Sequence, residues 1–483
     1  MSLSFFNSLT RSVETFQPLR PSEVGLYTCG PTVYSYAHIG NFRTYAFEDV
    51  LRRWLEYRGY NVRHVMNITD VEDKIIRAHR ETGTPIQELT APYIAAFYED
   101  RDALNILPAH HYPHATAYVT KMVAIVEKLL VRGLAYRAAD GSVYFDISRF
   151  PGYGKLSHMQ LDELVAGARV KQDEYDKQTA ADFALWKAWD ENDGEVFWET
   201  SLGKGRPGWH LECSAMSMSL LGEHFDIHTG GEDNLFPHHE NEIAQSEGMT
   251  GHPFVNFWLH SRHLLVDHTK MAKSKKNFFT VRELLNDHGV KPYALRYMYI
   301  ATHYRKLLDF TFDGAEAAQK TVDGIRSFLR RMLELAGNAT PATANAGTDA
   351  GTAIDPETRK ALDEARIAFE NAMDDDLNTA EALAALHVLI GQCNRLVSDG
   401  RMTAAGAHGV SRLFFDLDRV LALDLEKSLQ PEELNAEEQA LLDQRAEARK
   451  ARRWGDADAA RAALAARGIV IEDTPQGVRW KRN

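Results

Sequence analysis

Val24-Gly25-Leu26-Tyr27-Thr28-Cys29-Gly30-Pro31-Thr32 is the stretch of sequence that decides the fold. Its first six residues are a short apolar run that predicts a strand, and Gly30 with Pro31 ends that strand. Apolar residues then recur at helical spacing up to Gly59, namely Phe47, Val50, Leu51, Trp54 and Leu55. Val62 to Ile68 supplies a second strand. This strand, helix, strand order predicts an α/β fold with a parallel sheet, whose ligand site lies at the carboxyl ends of the strands.

The pattern changes three times after this unit. Residues from about Thr120 to Lys204 are mixed in pattern and punctuated by glycine, which indicates an insertion into the α/β core. Gly337 to Asp355 is small, polar and aperiodic, so we expect a flexible loop between two helical stretches, the second starting at Pro356. A last boundary is expected near Gln430-Pro431, followed by an Arg/Ala-rich helix that leads to Gly468-Ile469-Val470-Ile471.

Length and composition limit the class of protein. A chain of 483 residues has room for about two to four domains. It is 44% hydrophobic and 25% charged, and no apolar run approaches the roughly 18 residues that span a bilayer, so we expect no membrane segment. Three scattered cysteines and an N-terminus without a signal-peptide pattern predict a cytoplasmic protein with reduced thiols.

The charge is acidic overall but unevenly distributed. A net charge of −13 argues against a non-specific polyanion binder. Residues 424–443 contain seven acids and one base, whereas residues 445–483 contain ten Lys/Arg and five Asp/Glu. The final segment is therefore predicted to be a local basic patch on an acidic protein.

Two segments have the composition of a phosphate-binding site. The first signature, His38-Ile39-Gly40-Asn41, lies where the first helix begins, and unpaired N–H groups favour an anion there. His38 can add a donor, and Gly40 lets a nucleotide approach the backbone. The second signature, Lys270-Met271-Ala272-Lys273-Ser274-Lys275-Lys276-Asn277, places four lysines within seven residues. Each segment alone also has an ordinary interpretation, as a helix cap or as a solvated charge run.

A third segment, His228-Thr229-Gly230-Gly231-Glu232-Asp233, offers two glycines for close approach to the backbone. Asp233 can accept hydrogen bonds from ribose hydroxyls. Taken alone, the segment is also compatible with an ordinary turn.

Cys29, Cys213, His238 and Glu242 form a dispersed set with the sulfur, nitrogen and oxygen donors that suit zinc. His238 and Glu242 are four residues apart, so a helix presents both on one face, whereas the same shift excludes His239. No compact Cys-x-x-Cys is present, and a buried core cysteine is the ordinary interpretation of each thiol.

In combination, these segments resemble cysteinyl-tRNA synthetases, which belong to the class I aminoacyl-tRNA synthetases. That family pairs a His-Ile-Gly-His-like element with a Lys-Met-Ser-Lys-Ser-like loop over 200 residues later. Its zinc ligands occur in stretches that here read Gly208-Trp209-His210-Leu211-Glu212-Cys213-Ser214-Ala215-Met216 and Phe236-Pro237-His238-His239-Glu240-Asn241-Glu242. The resemblance covers nearly the whole chain, and it implies that the dispersed set above binds one Zn²⁺ per subunit.

The resemblance also implies a reaction. L-cysteine and ATP, the latter as its Mg²⁺ complex, give cysteinyl-adenylate and pyrophosphate, and cysteine then passes to the 3′-terminal adenosine of tRNA(Cys). The implied catalytic residues are His38, Lys270 and Lys273. The implied ATP-binding residues are His38, Gly40, Asn41, Gly230, Gly231, Asp233, Lys270, Lys273 and Ser274. A monomer is expected.

The implied cysteine pocket consists of Cys29, Thr69, Trp209 and His238. A hydrophobic pocket distinguishes one small group by only about 1–3 kcal/mol. A bound zinc ion takes a thiol as thiolate, whereas an alcohol is a far poorer ligand at neutral pH. Selection of cysteine over serine is therefore expected to depend on the metal.

At the C-terminus, the segments around Trp454, Asp458 and Asp473 resemble the family's anticodon-reading module. Trp454 is expected to stack on an unpaired base, and the two carboxylates to accept hydrogen bonds from guanine. The alternative is a small helical hairpin in which the tryptophan merely packs.

The predicted architecture is a Rossmann-type parallel-sheet catalytic core with an inserted subdomain, an α-helical domain and a small C-terminal tRNA-binding module. The expected bounds are 1–119 and 205–260 for the two halves of the catalytic domain, 120–204 for the connective insertion, 261–315 for the signature-loop and stem-contact region, 316–429 for the helical tRNA-binding domain, and 430–483 for the anticodon-binding module.

The second signature departs from the family pattern, because Ala272 stands where serine is usual and Lys275-Lys276 replaces Leu-Gly. Two other functions stay open. One is a ligase that joins cysteine to an amino sugar in mycothiol synthesis, which lacks the anticodon module. The other is a catalytically silent paralogue that binds RNA or zinc, which the altered loop favours.

Overall fold

The computed structural model describes residues 2–159, 182–271, 277–337, 354–429, 434–474 and 477–482. The chain divides into two compact units, Met1–Leu425 and Glu426–Asn483. The flexible loop predicted over Gly337–Asp355 lies outside the described residues except at its ends, and so does the boundary predicted at Gln430-Pro431.

The first unit contains strands and helices in alternation. Its strands are β1 (Ser4–Asn7), β2 (Ser12–Thr15), β3 (Glu23–Thr28), β4 (Asn61–Met66), β5 (Ala135–Arg137), β6 (Val143–Phe145), β7 (Phe183–Ala188), β8 (Trp198–Thr200), β9 (Gly203–Pro207), β10 (Phe225–Gly231), β11 (Val255–Ser261), β12 (Leu264–Val266), β13 (Thr269–Lys270) and β14 (Leu308–Phe310). Its main helices are α1 (Ile39–Tyr57), α2 (Asp73–Thr82), α3 (Ile86–Ala103), α4 (Val119–Val131), α5 (Trp209–Leu221), α6 (Glu240–Thr250), α7 (Val281–Asn286), α8 (Pro292–Ala301), α9 (Phe312–Leu335), α10 (Pro356–Asp374), α11 (Thr379–Ser398) and α12 (Ala404–Leu421).

A parallel sheet in the order β11-β10-β3-β4 forms the centre of this unit. Strand β3 is followed by α1 and by its neighbour β4, as the opening stretch predicts, whereas β10 and β11 extend the sheet on the other side. The direction of the strand order therefore reverses between β3 and β10. Ligands of open α/β sheets bind at such a point, outside the carboxyl ends of the strands. The predicted parallel-sheet α/β core is confirmed.

Helix α1 covers the sheet and begins at the first signature. Its apolar positions, including Phe42, Leu51 and Trp54, are buried. Asp49 on the same helix forms a buried ion pair with Arg296 of α8, with an N···O distance of 2.5 Å. The chain then turns at Gly59, whose φ of +89° lies in the left-handed region that favours glycine. The predicted end of the helical pattern at Gly59 is thus confirmed.

An antiparallel sheet in the order β5-β6-β7-β9-β8 lies between the two halves of the parallel sheet in the sequence. Its side chains Phe145 and Trp186 are fully buried. The sequence predicted a mixed, loop-rich stretch here, because strands of three to six residues are too short to show clear alternation. Residues 160–181, between β6 and β7, lie outside the described residues.

Helices α9 to α12 form the helical part that follows β14. Pro356 is in the first turn of α10, with the Asp355 side chain accepting from the Thr358 N–H as the N-cap, so the predicted helix start is confirmed. The loop after α10 carries Asp376, whose carboxylate accepts from the Phe6 N–H (2.8 Å), the Tyr304 hydroxyl (2.5 Å) and the Arg305 guanidinium (2.6 Å). These hydrogen bonds connect the helical part to the α/β core.

The described residues of the second unit form a short 3-10 helix (Lys427–Leu429), two α-helices, α13 (Ala436–Lys450) and α14 (Trp454–Ala465), and an antiparallel hairpin of β15 (Ile469–Thr474) and β16 (Gly477–Arg482). Leu464, Ile469 and Ile471 form its small apolar core. Within the described ranges of either unit, the structure contains no helix with the length and apolarity needed to cross a membrane.

Candidate metal centre and nucleotide site

Four side chains from three segments meet at the carboxyl end of the parallel sheet. Cys29 directly follows β3, His238 and His239 precede α6, and Glu242 lies in its first turn. One donor atom from each of these four residues lies within 4.8 Å of the others. We call these residues the metal group. The structure therefore brings together Cys29, His238 and Glu242 of the set proposed from the sequence.

The metal group contains His239, which the argument from helical spacing excluded. The His239 Nε2 atom lies 3.2 Å from the Cys29 sulfur and 4.0 Å from Glu242 Oε1. That argument assumed one regular helix through residues 238–242. Instead, residues 235–239 form a wider turn that contains non-helical backbone at Phe236, and α6 begins only at Glu240. The wider turn lets both histidines face the same point.

Cys213 lies on α5 and is not one of the four residues of the metal group. Its thiol is in hydrogen-bond contact with the Cys29 thiol, and both side chains are buried. The second predicted sulfur ligand therefore lies beside the first, at the edge of the metal group.

Burial determines the charge of these donors. The hydrogen bond with Cys213 and burial raise the pKa of Cys29 well above its usual value. Burial raises the pKa of Glu242 to about 8 and lowers the pKa of His238 to about 3. The imidazole of His238 is thus neutral at pH 7, as a metal ligand requires.

The donor set fits a divalent cation of the zinc type. Glu242 Oε1 is buried and lies 3.0 Å from His238 Nε2, yet it has no hydrogen-bond partner. A cation between these atoms would satisfy the orphaned oxygen and would stabilise the thiolate form of Cys29. Sulfur, imidazole and carboxylate donors together suit zinc better than magnesium or calcium, which prefer oxygen ligands alone.

Three further histidines, which the sequence analysis did not single out, lie within hydrogen-bond distance of residues of the metal group. His210 Nδ1 lies 2.9 Å from His238 Nδ1, so one of the two nitrogens must carry the proton. His260 Nε2 lies 2.8 Å from His239 Nδ1, and His228 Nε2 lies 3.0 Å from Glu242 Oε2. If Nε2 of His238 faces a cation, its Nδ1–H donates to His210, an arrangement typical of metal-binding histidines.

The two remaining residues of the implied cysteine pocket have different environments. The Trp209 ring is 40% exposed and stacks on His238, with ring centroids 4.3 Å apart and an interplanar angle of 23°. The aromatic face thus lies directly beside the metal group, and the tryptophan is not a core residue. Thr69, by contrast, is almost fully buried, and its hydroxyl donates to Glu212.

A cavity of about 220 Å³ adjoins the metal group, because Cys29 is part of its wall. The predicted ATP-binding residues that line it are His38, Gly40, Asn41, Gly231, Asp233 and Lys270. Gly230 is not part of the wall; a Cβ atom there would lie 2.9 Å from the His239 ring, so this glycine makes room for a metal-group residue. Lys273 and Ser274 lie outside the described residues.

His38 caps α1 and thereby has a defined tautomer. Its Nδ1 atom accepts from the Asn41 N–H at 3.1 Å, and the Asn41 side chain accepts from the His38 N–H at the same distance. Since Nδ1 is an acceptor, a neutral His38 carries its proton on Nε2. The Nε2–H group is the donor that a phosphate oxygen requires.

Backbone hydrogen bonds join the first signature to the residues that directly follow the second. The Ile39 N–H donates to the Phe279 carbonyl at 3.0 Å, and His38 pairs with Thr280 in an isolated antiparallel bridge. Lys270, at the other end of the second signature, receives a hydrogen bond on its carbonyl from the Asn277 side chain. Segments more than 200 residues apart in the sequence thus border one cavity.

Arg43 fixes a wall of this cavity, a role that sequence reasoning missed. Its buried guanidinium donates to the carbonyl oxygens of Arg262, at 2.6 Å, and of His263 and Lys306. Arg262 and His263 line the cavity. Burial lowers the pKa of Arg43 to about 10, so the side chain remains charged at pH 7.

The residues proposed for anticodon recognition lie on the second unit. Trp454 begins α14 and is 59% exposed, so it does not merely pack. Asp458 is exposed on the same helix. Asp473 lies in β15, and its side chain is outside the part that the structure describes.

Three regions of the chain match known protein families. Residues 15–320 match the tRNA synthetases class I (C) catalytic domain, residues 368–426 the DALR domain, and residues 432–480 the cysteinyl-tRNA ligase anticodon binding domain. The cysteine–tRNA ligase of Chlamydia felis is 46% identical over 482 residues, which cover 100% of this chain and 98% of that protein. The chain belongs to the cysteine–tRNA ligase family. Another member of this family, from Brachyspira hyodysenteriae, is 45% identical, with 99% of each chain covered.

Solved structures show the same fold for this cysteine–tRNA ligase family member. The methionyl-tRNA synthetase of Mycobacterium tuberculosis in complex with methionyl-adenylate superposes with a TM-score of 0.63 at 14% sequence identity. The match covers 84% of this chain and 93% of that structure. At this identity, the likeness concerns the fold alone, and it agrees with the predicted class I architecture.

Proposed function

We propose that this chain activates L-cysteine with ATP and transfers it to the 3′-terminal adenosine of tRNA(Cys). The observation that carries the proposal is the position of Cys29, which belongs to the metal group and also lines the cavity bordered by both signatures. A ligand that reaches from one to the other has its sulfur at the metal group and its carboxylate towards the cavity. Cysteine has this pair of functional groups.

The metal is proposed to be one Zn²⁺ per subunit, held by Cys29, Cys213, His238 and Glu242. His239 is the alternative to Cys213 as the fourth zinc ligand, because the Nε2 atom of His239 lies in the metal group. When bound, zinc binds the substrate's thiol as thiolate and so distinguishes it from the hydroxyl of serine. Trp209 forms the aromatic wall beside the site, and Thr69 completes the proposed cysteine pocket.

The cavity residues are proposed to bind ATP, which enters as its Mg²⁺ complex. A carboxylate oxygen of cysteine forms a bond to the α-phosphorus, the bond from that phosphorus to the bridging oxygen breaks, and pyrophosphate leaves. The Nε2–H of His38 and the ammonium groups of Lys270 and Lys273 stabilise the negative charge on the phosphate oxygens. We assign Gly40, Asn41 and Ser274 to the phosphates and Gly231 and Asp233 to the ribose, whereas Gly230, which does not line the cavity, makes room for the His239 ring.

In the second step, the terminal ribose hydroxyl of the tRNA attacks the activated carbonyl and AMP leaves. We propose that residues 316–429 contact the tRNA body and that residues 430–483 read the anticodon. Trp454 stacks on a base there, and Asp458 and Asp473 accept hydrogen bonds from it. The ten basic residues of the final segment contact phosphates without reading sequence.

We further propose a monomer that acts in the cytoplasm. Cys29, Cys213 and Cys393 are all free and buried, which agrees with a reducing compartment. A ligase that joins cysteine to an amino sugar would need the metal group and the cavity but no anticodon module, and residues 432–480 match such a module. The tRNA-charging function therefore accounts for more of the chain.

Two assays test the proposal. The first is cysteine-dependent exchange of pyrophosphate into ATP, with Lys273→Ala as the matched control; exchange no faster than in that variant would support a silent paralogue. The second compares charging of total tRNA with cysteine and with serine, before and after zinc chelation. We expect cysteine alone to be charged, and chelation to reduce charging. Equal use of both amino acids would overturn the cysteine assignment.

A further inference from the structure

A chain of buried hydrogen bonds connects the loop that carries Cys29 to the helix that carries Cys213. The Gly30 N–H donates to Asn67 Oδ1 at 2.9 Å, and Asn67 Nδ2 donates to Thr69 Oγ1 at 3.1 Å. The Thr69 hydroxyl then donates to Glu212 Oε2 at 3.0 Å. The side chains of Asn67, Thr69 and Glu212 are each 2% exposed, so water does not compete for these bonds.

The direction of every bond in this chain is fixed from one end. A backbone N–H can only donate, so the amide oxygen of Asn67 must face Gly30 and its amino group must face Thr69. The Thr69 oxygen is thereby an acceptor, and its only proton must point to Glu212. The chain therefore requires a hydroxyl at residue 69 and an acceptor at residue 212. No other arrangement of donors satisfies all three bonds.

Both ends of the chain lie next to a sulfur ligand proposed above. Gly30 follows Cys29, and Glu212 precedes Cys213 at the start of α5. The backbone reinforces the first end, because the Thr69 N–H donates to the Pro31 carbonyl and the Val33 N–H donates to the Thr69 carbonyl, both at 3.1 Å. The approach at Gly30 is so close that an added Cβ would lie 1.8 Å from the Asn67 carbonyl oxygen.

We propose that Thr69 and Glu212 are positioning residues that hold Cys29 and Cys213 at the separation required to bind one zinc ion. Neither residue coordinates the metal in this role; their hydrogen bonds fix the position of the Cys29 loop relative to the helix that carries Cys213. The inference rests on the proposed zinc site. It assigns to Glu212, a residue without a role in the proposed reaction, a function in building that site.

Zinc affinity of the full-length protein, measured by competition with a chromophoric chelator, tests this inference independently of activity. Thr69→Val keeps the shape of the side chain but removes the hydroxyl, and Glu212→Met removes the acceptor. We expect each to raise the apparent Kd for Zn²⁺ about 10-fold, the lower end of the effect of changing residues that support metal ligands. Thr69→Ser and Glu212→Gln keep a donor and an acceptor, and should remain within about 3-fold of the wild type.

The matched control is Thr90→Val, which removes an equally buried hydroxyl whose bonds go to the Ile86 and Gln87 carbonyls within α3. A Kd for Thr69→Val equal to that of Thr90→Val would overturn the inference, and so would a Thr69→Ser variant as weak as Thr69→Val. The double variant Thr69→Val/Glu212→Met should bind zinc no more weakly than either single variant, because both break one chain. If the losses of zinc affinity in the two single variants add up in the double variant, the two residues act independently, which would contradict a single hydrogen-bond chain.

The outcome for the wild type separates this inference from the proposed function. A wild-type protein that binds no zinc would overturn both the metal assignment and this inference. Zinc binding and cysteine-dependent exchange that persist in all variants at wild-type affinity would overturn only the positioning role of Thr69 and Glu212.

Discussion

Two substitutions at His38 separate its role as a helix cap from its proposed role as a phosphate donor. His38→Ala removes both the acceptor for the Asn41 N–H and the Nε2–H group. His38→Asn restores the cap, because asparagine is among the best N-cap residues, but its shorter side chain does not extend as far as the imidazole Nε2–H. The two variants therefore differ in capping and share the loss of the imidazole donor.

The expected magnitudes are far enough apart to decide between these roles. Loss of a cap costs about 1 kcal/mol, which is about a 5-fold change in an equilibrium. Loss of one donor to a charged transition state costs about 10²- to 10³-fold in rate. If His38 donates to the α-phosphate, both variants should lose at least about 100-fold in pyrophosphate exchange, and the asparagine variant should recover only the stability.

The assay is cysteine-dependent pyrophosphate exchange at saturating ATP, accompanied by thermal unfolding of each variant. Lys273→Ala provides a comparison for the loss of another proposed phosphate-binding group. Recovery of exchange in His38→Asn to within about 5-fold of the wild type would refute the donor role and would leave His38 as a structural cap.

Four further predictions concern other parts of the molecule. His238→Ala should reduce zinc content and the preference for cysteine over serine together, as measured by metal analysis and by charging; full zinc retention with unchanged selectivity would remove His238 from the site. Arg43→Met should lower the free energy of unfolding of the first unit by about 3 kcal/mol, because three carbonyl groups lose the charged donor that the buried Arg43 side chain supplies; a change below about 1 kcal/mol in urea unfolding would contradict this. Trp454→Ala should raise the KM for tRNA while leaving pyrophosphate exchange unchanged, and an equal loss in both assays would argue against a role in tRNA binding. The hydrogen bond that His114 donates to Asp70 raises the pKa of His114, so the stabilising contribution of the charged imidazole should be fully present below about pH 6.5 and be lost as the pH rises through the folded-state pKa. His114→Gln should therefore lower the free energy of unfolding by up to about 1 kcal/mol below about pH 6.5 and by less at about pH 8, and a larger loss at the higher pH would contradict this prediction.

The sequence predicts the parts of the fold that depend on local pattern. Strand β3, helix α1 and the turn at Gly59 follow from periodicity and from the residues that interrupt it, so the parallel sheet was predictable. The antiparallel sheet of residues 135–207 was not, because its strands of three to six residues are too short to show clear alternation and their pairing is a tertiary property.

The candidate site was also predictable only in part. Motif resemblance identified Cys29, His238 and Glu242, which the structure brings together. The argument from helical spacing excluded His239, because it assumed a regular helix where the chain forms a wider turn. Arg43 was also missed: its partners are backbone carbonyl groups, which leave no trace in the side-chain pattern of the sequence.

The three bonds to Asp376 have a practical consequence for dissecting this protein. A fragment that ended near residue 315 would contain every residue proposed for cysteine activation. However, the Phe6 N–H, the Tyr304 hydroxyl and the Arg305 guanidinium would lose their shared acceptor, and the apolar surface now beneath the helices would be open to water. A fragment that folds on its own must therefore be longer than the segment that contains the proposed catalytic residues. Truncation experiments should keep the chain through at least Leu425.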